Sequence, residues 1–178
     1  MADFPSVTQV LKPFADFSKI PEDILLLASE RGTAVHDACA AILLDIPFSI
    51  PPEFQGYVDS FFYWKEKMVD SEIKIDRMVR FVERRFTDER FGFCGKPDFV
   101  GKLKGVHGPS VVDWKTPLLV SQTWKAQVAA YKHLTGAASG GTLRLDKNGG
   151  PARMDWFDDD PCAFPAFLNA LNAWRYFK

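Results

Sequence analysis

The sequence has few cysteines, and their spacing does not suit a metal. Cys39, Cys94 and Cys162 are far apart, and no Cys-x-x-Cys pair occurs among the 178 residues. This argues against a zinc ribbon and against an iron–sulfur cluster. An odd number of cysteines fits reduced thiols, so we expect a cytoplasmic protein.

Long apolar runs are also missing, and the net charge is close to zero. No apolar stretch approaches ~18 residues, and the N-terminus lacks a basic start followed by an apolar run, so we expect neither a membrane span nor a signal peptide. The net charge is −1. No overall basic field therefore indicates nucleic acid, although a local basic groove can exist on a neutral protein. The glycines show no phosphate-loop or dinucleotide-binding spacing.

The hydrophobic content of 47% is sufficient for one domain with its own core, covering residues 1–178. Helix signals occur at 22–31, where Gly32 would stop the helix, and from 34, where Thr33 would cap a second helix. The other predicted helices are 51–68, 121–134 and 161–178. Strands are predicted at 76–86, 93–103 and 110–116, with a hairpin at 141–157. We therefore predict an α/β or α+β fold with a central mixed sheet of about five strands, flanked by helices.

An acidic pair and a lysine mark the strand at 110–116. Asp113 and Lys115 point to one face because strand side chains alternate, whereas Val112 and Trp114 point to the other. Asp98 follows Pro97 on the preceding strand, and pairing of the two strands would bring both carboxylates to one end of the sheet. Converging carboxylates repel unless a cation neutralises them, and oxygen ligands suit Mg²⁺ or Mn²⁺. An exposed Asp–Lys pair at a sheet edge is the alternative.

Pro97-Asp98 followed by Asp113-Trp114-Lys115 resembles the PD-(D/E)xK nuclease superfamily. Three flanking features are similar to its RecB-type and lambda-exonuclease-type branch: "RGTAVH" at 31–36, "VER" at 82–84, and "QVAAY" at 127–131. They follow the order of that family and span about residues 24–135, with the hairpin and last helix at 141–178 behind them. The resemblance implies a restriction-endonuclease-like core.

The resemblance also implies roles for individual residues. Asp98, Asp113, the backbone carbonyl of Trp114 and the imidazole of His36 would bind Mg²⁺ or Mn²⁺. Lys115 would activate or orient the attacking water. Three further site residues are expected. Glu83 would supply a carboxylate that acts through water, or it is a surface glutamate. Gln127 would lie near the scissile phosphate, and Tyr131 would support the placement of the DNA strand. Many relatives carry a glutamate one turn after the histidine, but this sequence has Ala40 at that position. The resemblance therefore leaves open whether one or two metal ions bind.

DNA contacts are expected from basic and aromatic residues near the motif: Arg84, Arg85, Lys96, Trp124 and Lys125. A packed core is the alternative for Trp124. The predicted activity is that of a metal-dependent DNA exonuclease acting on linear DNA, in phage or bacterial recombination or repair. A site-specific endonuclease, a junction resolvase and a non-catalytic nucleic-acid-binding subunit are the alternatives. A homo-oligomer or a recombination partner protein is left open.

Overall fold

The computed structural model describes residues 4–15, 20–68, 82–117 and 120–178. These residues contain five α-helices: α1 Val7–Leu11, α2 Glu22–Leu44, α3 Gln55–Met68, α4 Thr123–Thr135 and α5 Ala163–Phe177. Short 3₁₀ turns follow α1 at Lys12–Phe14 and precede α3 at Pro52–Phe54. In these ranges no helix has both the length and the apolar character needed to cross a membrane.

The described strands form two sheets. Strands β1 (Phe86–Asp88) and β2 (Phe93–Gly95) make an antiparallel pair. Strands β3 (Phe99–Lys102), β4 (Pro109–Lys115), β5 (Ser139–Arg144) and β6 (Arg153–Trp156) make a sheet in that order. The β4–β5 pair is parallel and its two neighbouring pairs are antiparallel. The α+β class is therefore confirmed, and a mixed sheet is present, but the strands are divided between two sheets of two and four strands.

The four-stranded sheet lies between two helical layers, because the side chains of β4 alternate between them. Val112 and Trp114 pack in a core shared with α2 and α3. Val111 faces the opposite core, which α1, α4 and α5 share. Helix α4 connects the parallel strands β4 and β5, as a parallel pair requires. Asp113 and Lys115 consequently point toward α4.

The predicted break at Gly32 is wrong, because a single helix, α2, runs from Glu22 to Leu44. A glycine in a helix interior costs about 1 kcal/mol relative to alanine, which burial of the following apolar stripe outweighs. That stripe contains Val35, Ala38, Cys39 and Ile42. Helix α2 ends instead at Asp45, which adopts the left-handed conformation.

The expected strand at 76–86 is wrong at residues 82–85, and residues 76–81 lie outside the described residues. Residues 82–85 form no strand, and β1 begins at Phe86. Glu83 has a φ of 52°, in the left-handed region, which is incompatible with an extended strand. The strand expected at 93–103 is also divided, because Pro97 lacks the N–H needed to continue a ladder.

Candidate active site

Asp98 lies immediately before β3 and is buried between the sheet and α2. Its Oδ2 accepts a hydrogen bond of 2.6 Å from the backbone N–H of Trp114 on β4. Its Oδ1 lies 3.0 Å from Nδ1 of His36 on α2. One carboxylate thus joins three segments of the chain that the sequence separates widely.

His36 contacts Asp98 through one ring nitrogen and packs edge-on against Trp114, with the ring centres 5.9 Å apart. Burial by itself lowers the pKa of His36. The charge of Asp98 and its hydrogen bond, together with the charge of Asp113, outweigh burial and raise this pKa from 6.5 to about 9. The imidazole is therefore protonated at neutral pH in the metal-free protein, and its positive charge balances the carboxylates.

Glu83 completes a cluster with His36 and Asp98, in which one ligand atom from each residue lies within 4.8 Å of the others. The backbone N–H of Glu83 donates a 3.2 Å hydrogen bond to the carbonyl of Asp98. Its carboxylate forms an ion pair with Lys96. Burial and then the nearby carboxylate of Asp98 raise the pKa of Glu83, although Lys96 opposes this. The crowding of two carboxylates is the condition that a bound cation relieves.

Asp113 belongs to a second group on the α4 side of β4. It forms an ion pair with Lys115, and its Oδ1 accepts a 3.1 Å hydrogen bond from Nε2 of Gln127. The ammonium of Lys115 also donates to Oε1 of Gln127 at 3.0 Å. Gln127 Nε2 lies 3.3 Å from the hydroxyl of Tyr131, one helical turn later. This network holds the ammonium of Lys115 between two acceptors, Asp113 on β4 and Gln127 on α4.

The two groups meet at one groove, because His36 from the first group and Lys115 and Gln127 from the second all line it. The charges of Asp98 and Asp113 both raise the pKa of His36, and both contribute after burial to the raised pKa of Tyr131. The described residues thus bring together His36, Glu83, Asp98, Asp113, Lys115, Gln127 and Tyr131. Among the residues that the structure describes, His36, Glu83 and Asp98 form the one three-ligand cluster. Ligation through Asp113 and the carbonyl of Trp114 stays a prediction.

The residues expected to contact DNA differ in their exposure to solvent. Trp124 is only 6% exposed, although Nζ of Lys115 lies 5.7 Å from its ring centre. Lys96 pairs with Glu83, and Nζ of Lys125 lies 3.6 Å from Oδ2 of Asp160. Arg84 and Arg85 are exposed, and the guanidinium of Arg84 lies over the ring of Phe86. A flat stacking surface at Trp124 is not available in this conformation.

Arg31 has a positioning role that the sequence argument did not assign. Its Nη2 donates to the backbone carbonyl of Thr116 at 3.0 Å, and its Nε to Thr116 Oγ1 at 3.4 Å. The guanidinium also lies 5.8 Å from the ring centre of Tyr57 on α3. Arg31 therefore connects α2 to the end of β4, one residue beyond Lys115. Its place at the start of "RGTAVH" was the available signal.

The donor set fits a hard divalent cation. One imidazole and two carboxylates are ligands that Mg²⁺ and Mn²⁺ accept in proteins. Ligand atoms at about 2.1 Å from an octahedral ion lie at most about 4.2 Å apart. The separations of the cluster, within 4.8 Å, require only small side-chain movements. Ala40, one turn after His36, is buried in the core, so α2 offers no carboxylate at that position.

Compared with models of known protein families and with curated protein sequences, the chain matches none. The geometry of the site therefore has to support any functional conclusion by itself.

Proposed function

We propose that the protein is a divalent-metal-dependent deoxyribonuclease of the PD-(D/E)xK type, with a restriction-endonuclease-like core, that degrades DNA from its ends. The observation that carries the proposal is the cluster of His36, Glu83 and Asp98 beside the Asp113–Lys115–Gln127 network. A carboxylate–imidazole set beside a positioned lysine supplies the two parts that metal-assisted phosphodiester hydrolysis needs. The setting that the resemblance implies is phage or bacterial recombination or repair.

His36, Glu83 and Asp98 would hold Mg²⁺ or Mn²⁺, and the residues of β4 and α4 would act on the phosphate. A bound divalent ion supplies a polarised phosphoryl oxygen and a water of lowered pKa. The ammonium of Lys115 offsets the negative charge that develops on the phosphate, because Asp113 and Gln127 hold it in place. Gln127 is a positioning residue in this scheme, since its amide joins Asp113 to Lys115. Tyr131 in turn contacts that amide.

The test is hydrolysis of linear DNA with Mg²⁺ or Mn²⁺, compared with EDTA. Asp98→Asn is the informative variant, because asparagine keeps an oxygen that can accept the Trp114 N–H but loses the charge. We expect its activity to fall more than about 100-fold, since even partners of metal ligands contribute 10- to 100-fold. Asp59→Asn is the matched control, because Asp59 is an exposed acid on α3 that contacts Gln55.

Equal activity in Asp98→Asn and Asp59→Asn would contradict the site assignment. No divalent-dependent hydrolysis of any DNA by the folded wild-type protein would contradict the enzymatic function, leaving the non-catalytic binding subunit as the better account.

A further inference from the structure

One groove beside the candidate active site and a second groove at the end of α5 share part of their lining, and the two together are called the trough. The first has a volume of about 790 Å³ and reaches His36, Lys115 and Trp124. The second has a volume of about 980 Å³ and reaches Trp174, Phe177 and Lys178 on α5. Gln9, Lys12 and Ala15 line both grooves, so the grooves meet at the end of α1. The trough therefore leads from the candidate active site to the end of α5.

The charged side chains that line the trough are basic, although the protein is nearly neutral. The chain has 23 acidic residues, yet none of the described residues that line the trough is acidic. Its charged and titratable lining side chains are Lys12, Arg31, His36, Lys115 and Lys178. His36 and Lys115 are paired with Asp98 and Asp113 behind the lining, so the charge open to a ligand comes from Lys12, Arg31 and Lys178. A polyanion is the occupant that complements them.

The end of the trough on α5 carries exposed aromatic rings. The residue Phe177 is 83% exposed and Phe14, at the end of the 3₁₀ turn, is 55% exposed. Nζ of Lys178 lies 4.7 Å from the ring centre of Trp174. Exposed rings next to ammonium groups are the combination that binds unpaired bases through stacking and their phosphates through charge.

From these observations we infer that the trough binds single-stranded DNA that leads to or from the candidate active site, with unpaired bases stacked on Phe177 and Trp174. The inference rests on the proposed function for its choice of nucleic acid. A duplex does not satisfy the same surface, because its base faces are stacked on one another and cannot meet the rings. The substrate form that fits this protein is therefore a single strand or a duplex end with a single-stranded overhang.

The test measures the binding of a fluorescein-labelled oligothymidylate of about 20 nucleotides by fluorescence anisotropy. EDTA is present so that no cleavage occurs. Phe177→Ala should weaken binding on the order of 5- to 150-fold, the loss typical of one base–aromatic stack. Phe62→Ala is the matched control, because Phe62 is an exposed ring on α3 that does not line the trough. Both variants should fold normally, because neither ring is buried.

Lys12 tests the junction of the two grooves. Lys12→Ala should reduce the slope of log affinity against log salt concentration by about 0.7, the value for one phosphate contact on a single strand. Lys147→Ala, at an exposed lysine in the β5–β6 turn, should leave this slope unchanged.

Metal-free binding separates the trough from the catalytic proposal. If the wild-type protein hydrolyses DNA with Mn²⁺ but Phe177→Ala and Phe62→Ala bind the oligonucleotide equally, the trough assignment fails and the proposed function stands. If Phe177→Ala alone weakens binding while no hydrolysis occurs, the trough stands and the proposed function fails. A change of oligomeric state on gel filtration, specific to Phe177→Ala, would show that a second copy of the chain covers the trough and would overturn the inference.

Discussion

At the residue scale, Asp98 makes two kinds of contact that its substitutions separate. Its charge pairs with protonated His36 and repels Glu83, and Asp98→Asn and Asp98→Ala both remove that charge. Its Oδ2 also accepts the N–H of Trp114 in the core. A buried N–H without an acceptor costs about 1–3 kcal/mol, so Asp98→Ala should destabilise the fold by about that much more than Asp98→Asn does. The difference between the two variants therefore isolates the strand contact from the charge.

Lys115→Met should reduce turnover about 10²- to 10³-fold, the value of one electrostatic contact to a transition state. It removes the ammonium but keeps most of the side-chain volume beside Gln127. Steady-state kinetics with Mn²⁺ and calorimetric titration of Mn²⁺ are the measurements. Lys147→Met, at an exposed lysine in the β5–β6 turn, is the control and should keep wild-type turnover. Weaker Mn²⁺ binding with unchanged turnover would place Lys115 with the metal instead of the phosphate.

The pKa of His36 predicts how stability depends on pH in EDTA. Because the folded pKa of about 9 lies above the unfolded value of 6.5, the His36 contribution is fully present below pH 6.5 and lost as the pH rises to about 9. The difference in unfolding free energy between wild type and His36→Gln should therefore shrink over that range, by an amount on the order of 3 kcal/mol. Urea unfolding at several pH values measures it. A difference that does not change with pH would contradict the His36–Asp98 pair.

At the element scale, the continuous helix α2 connects the trough to the candidate metal-ligand cluster of His36, Glu83 and Asp98. Its first turns line the trough with Ile24 and Leu25, and its later turns carry Arg31 and His36 to the end of β4. Helix α4 approaches the same strand from the other layer with Gln127. The site is therefore formed at the end of β4, where α2 approaches from one layer of the sheet and α4 from the other.

Gly32 offers a direct test of the helix continuity. An added Cβ at Gly32 meets nothing within 4 Å, so Gly32→Ala should raise the unfolding free energy by about 0.5–1 kcal/mol through helix propensity. Thermal unfolding in EDTA measures the change. Gly56→Ala is the contrasting variant, because its Cβ would overlap with the carbonyl of Lys147, and it should be strongly destabilising. A loss of stability in Gly32→Ala would indicate a helix break at this position.

At the scale of the whole molecule, the charge distribution limits how the proposed nuclease would hold DNA. A net charge of −1 supplies no general attraction, so binding would depend on a local surface. The trough is the surface that we propose, since its described lining residues include three lysines and one arginine and no acid. A single strand is the occupant inferred for it.

The proposed exonuclease should require a DNA end. One plasmid in linear and in covalently closed circular form, incubated with Mg²⁺ or Mn²⁺, provides the comparison. We expect progressive degradation of the linear form to short products and survival of the closed circle, and Asp98→Asn should leave both intact. Equal rates of cutting would favour the endonuclease or resolvase alternative.

The sequence by itself determined the local parts of the site, because they depend on residues two or four positions apart. Alternation along β4 placed Asp113 and Lys115 on one face, where they form an ion pair. Helical spacing placed Gln127 beside Tyr131, where they are in contact. The hairpin of β5 and β6 and the left-handed cap of α4 at Gly136 followed from turn chemistry in the same way. These predictions needed no knowledge of the packing.

Only the tertiary structure decided what lies across elements. His36 and Asp98 are 62 positions apart, and their contact depends on how α2 packs on the sheet. Glu83 joins them from a segment whose Val and Phe content predicted a strand, because its left-handed backbone turns the chain toward Asp98. The helix through Gly32 and the trough between α1, α2, α4 and α5 likewise arise from burial of side chains on neighbouring elements. Local pattern fixes which face a residue occupies, whereas packing free energy between distant elements fixes what that face meets.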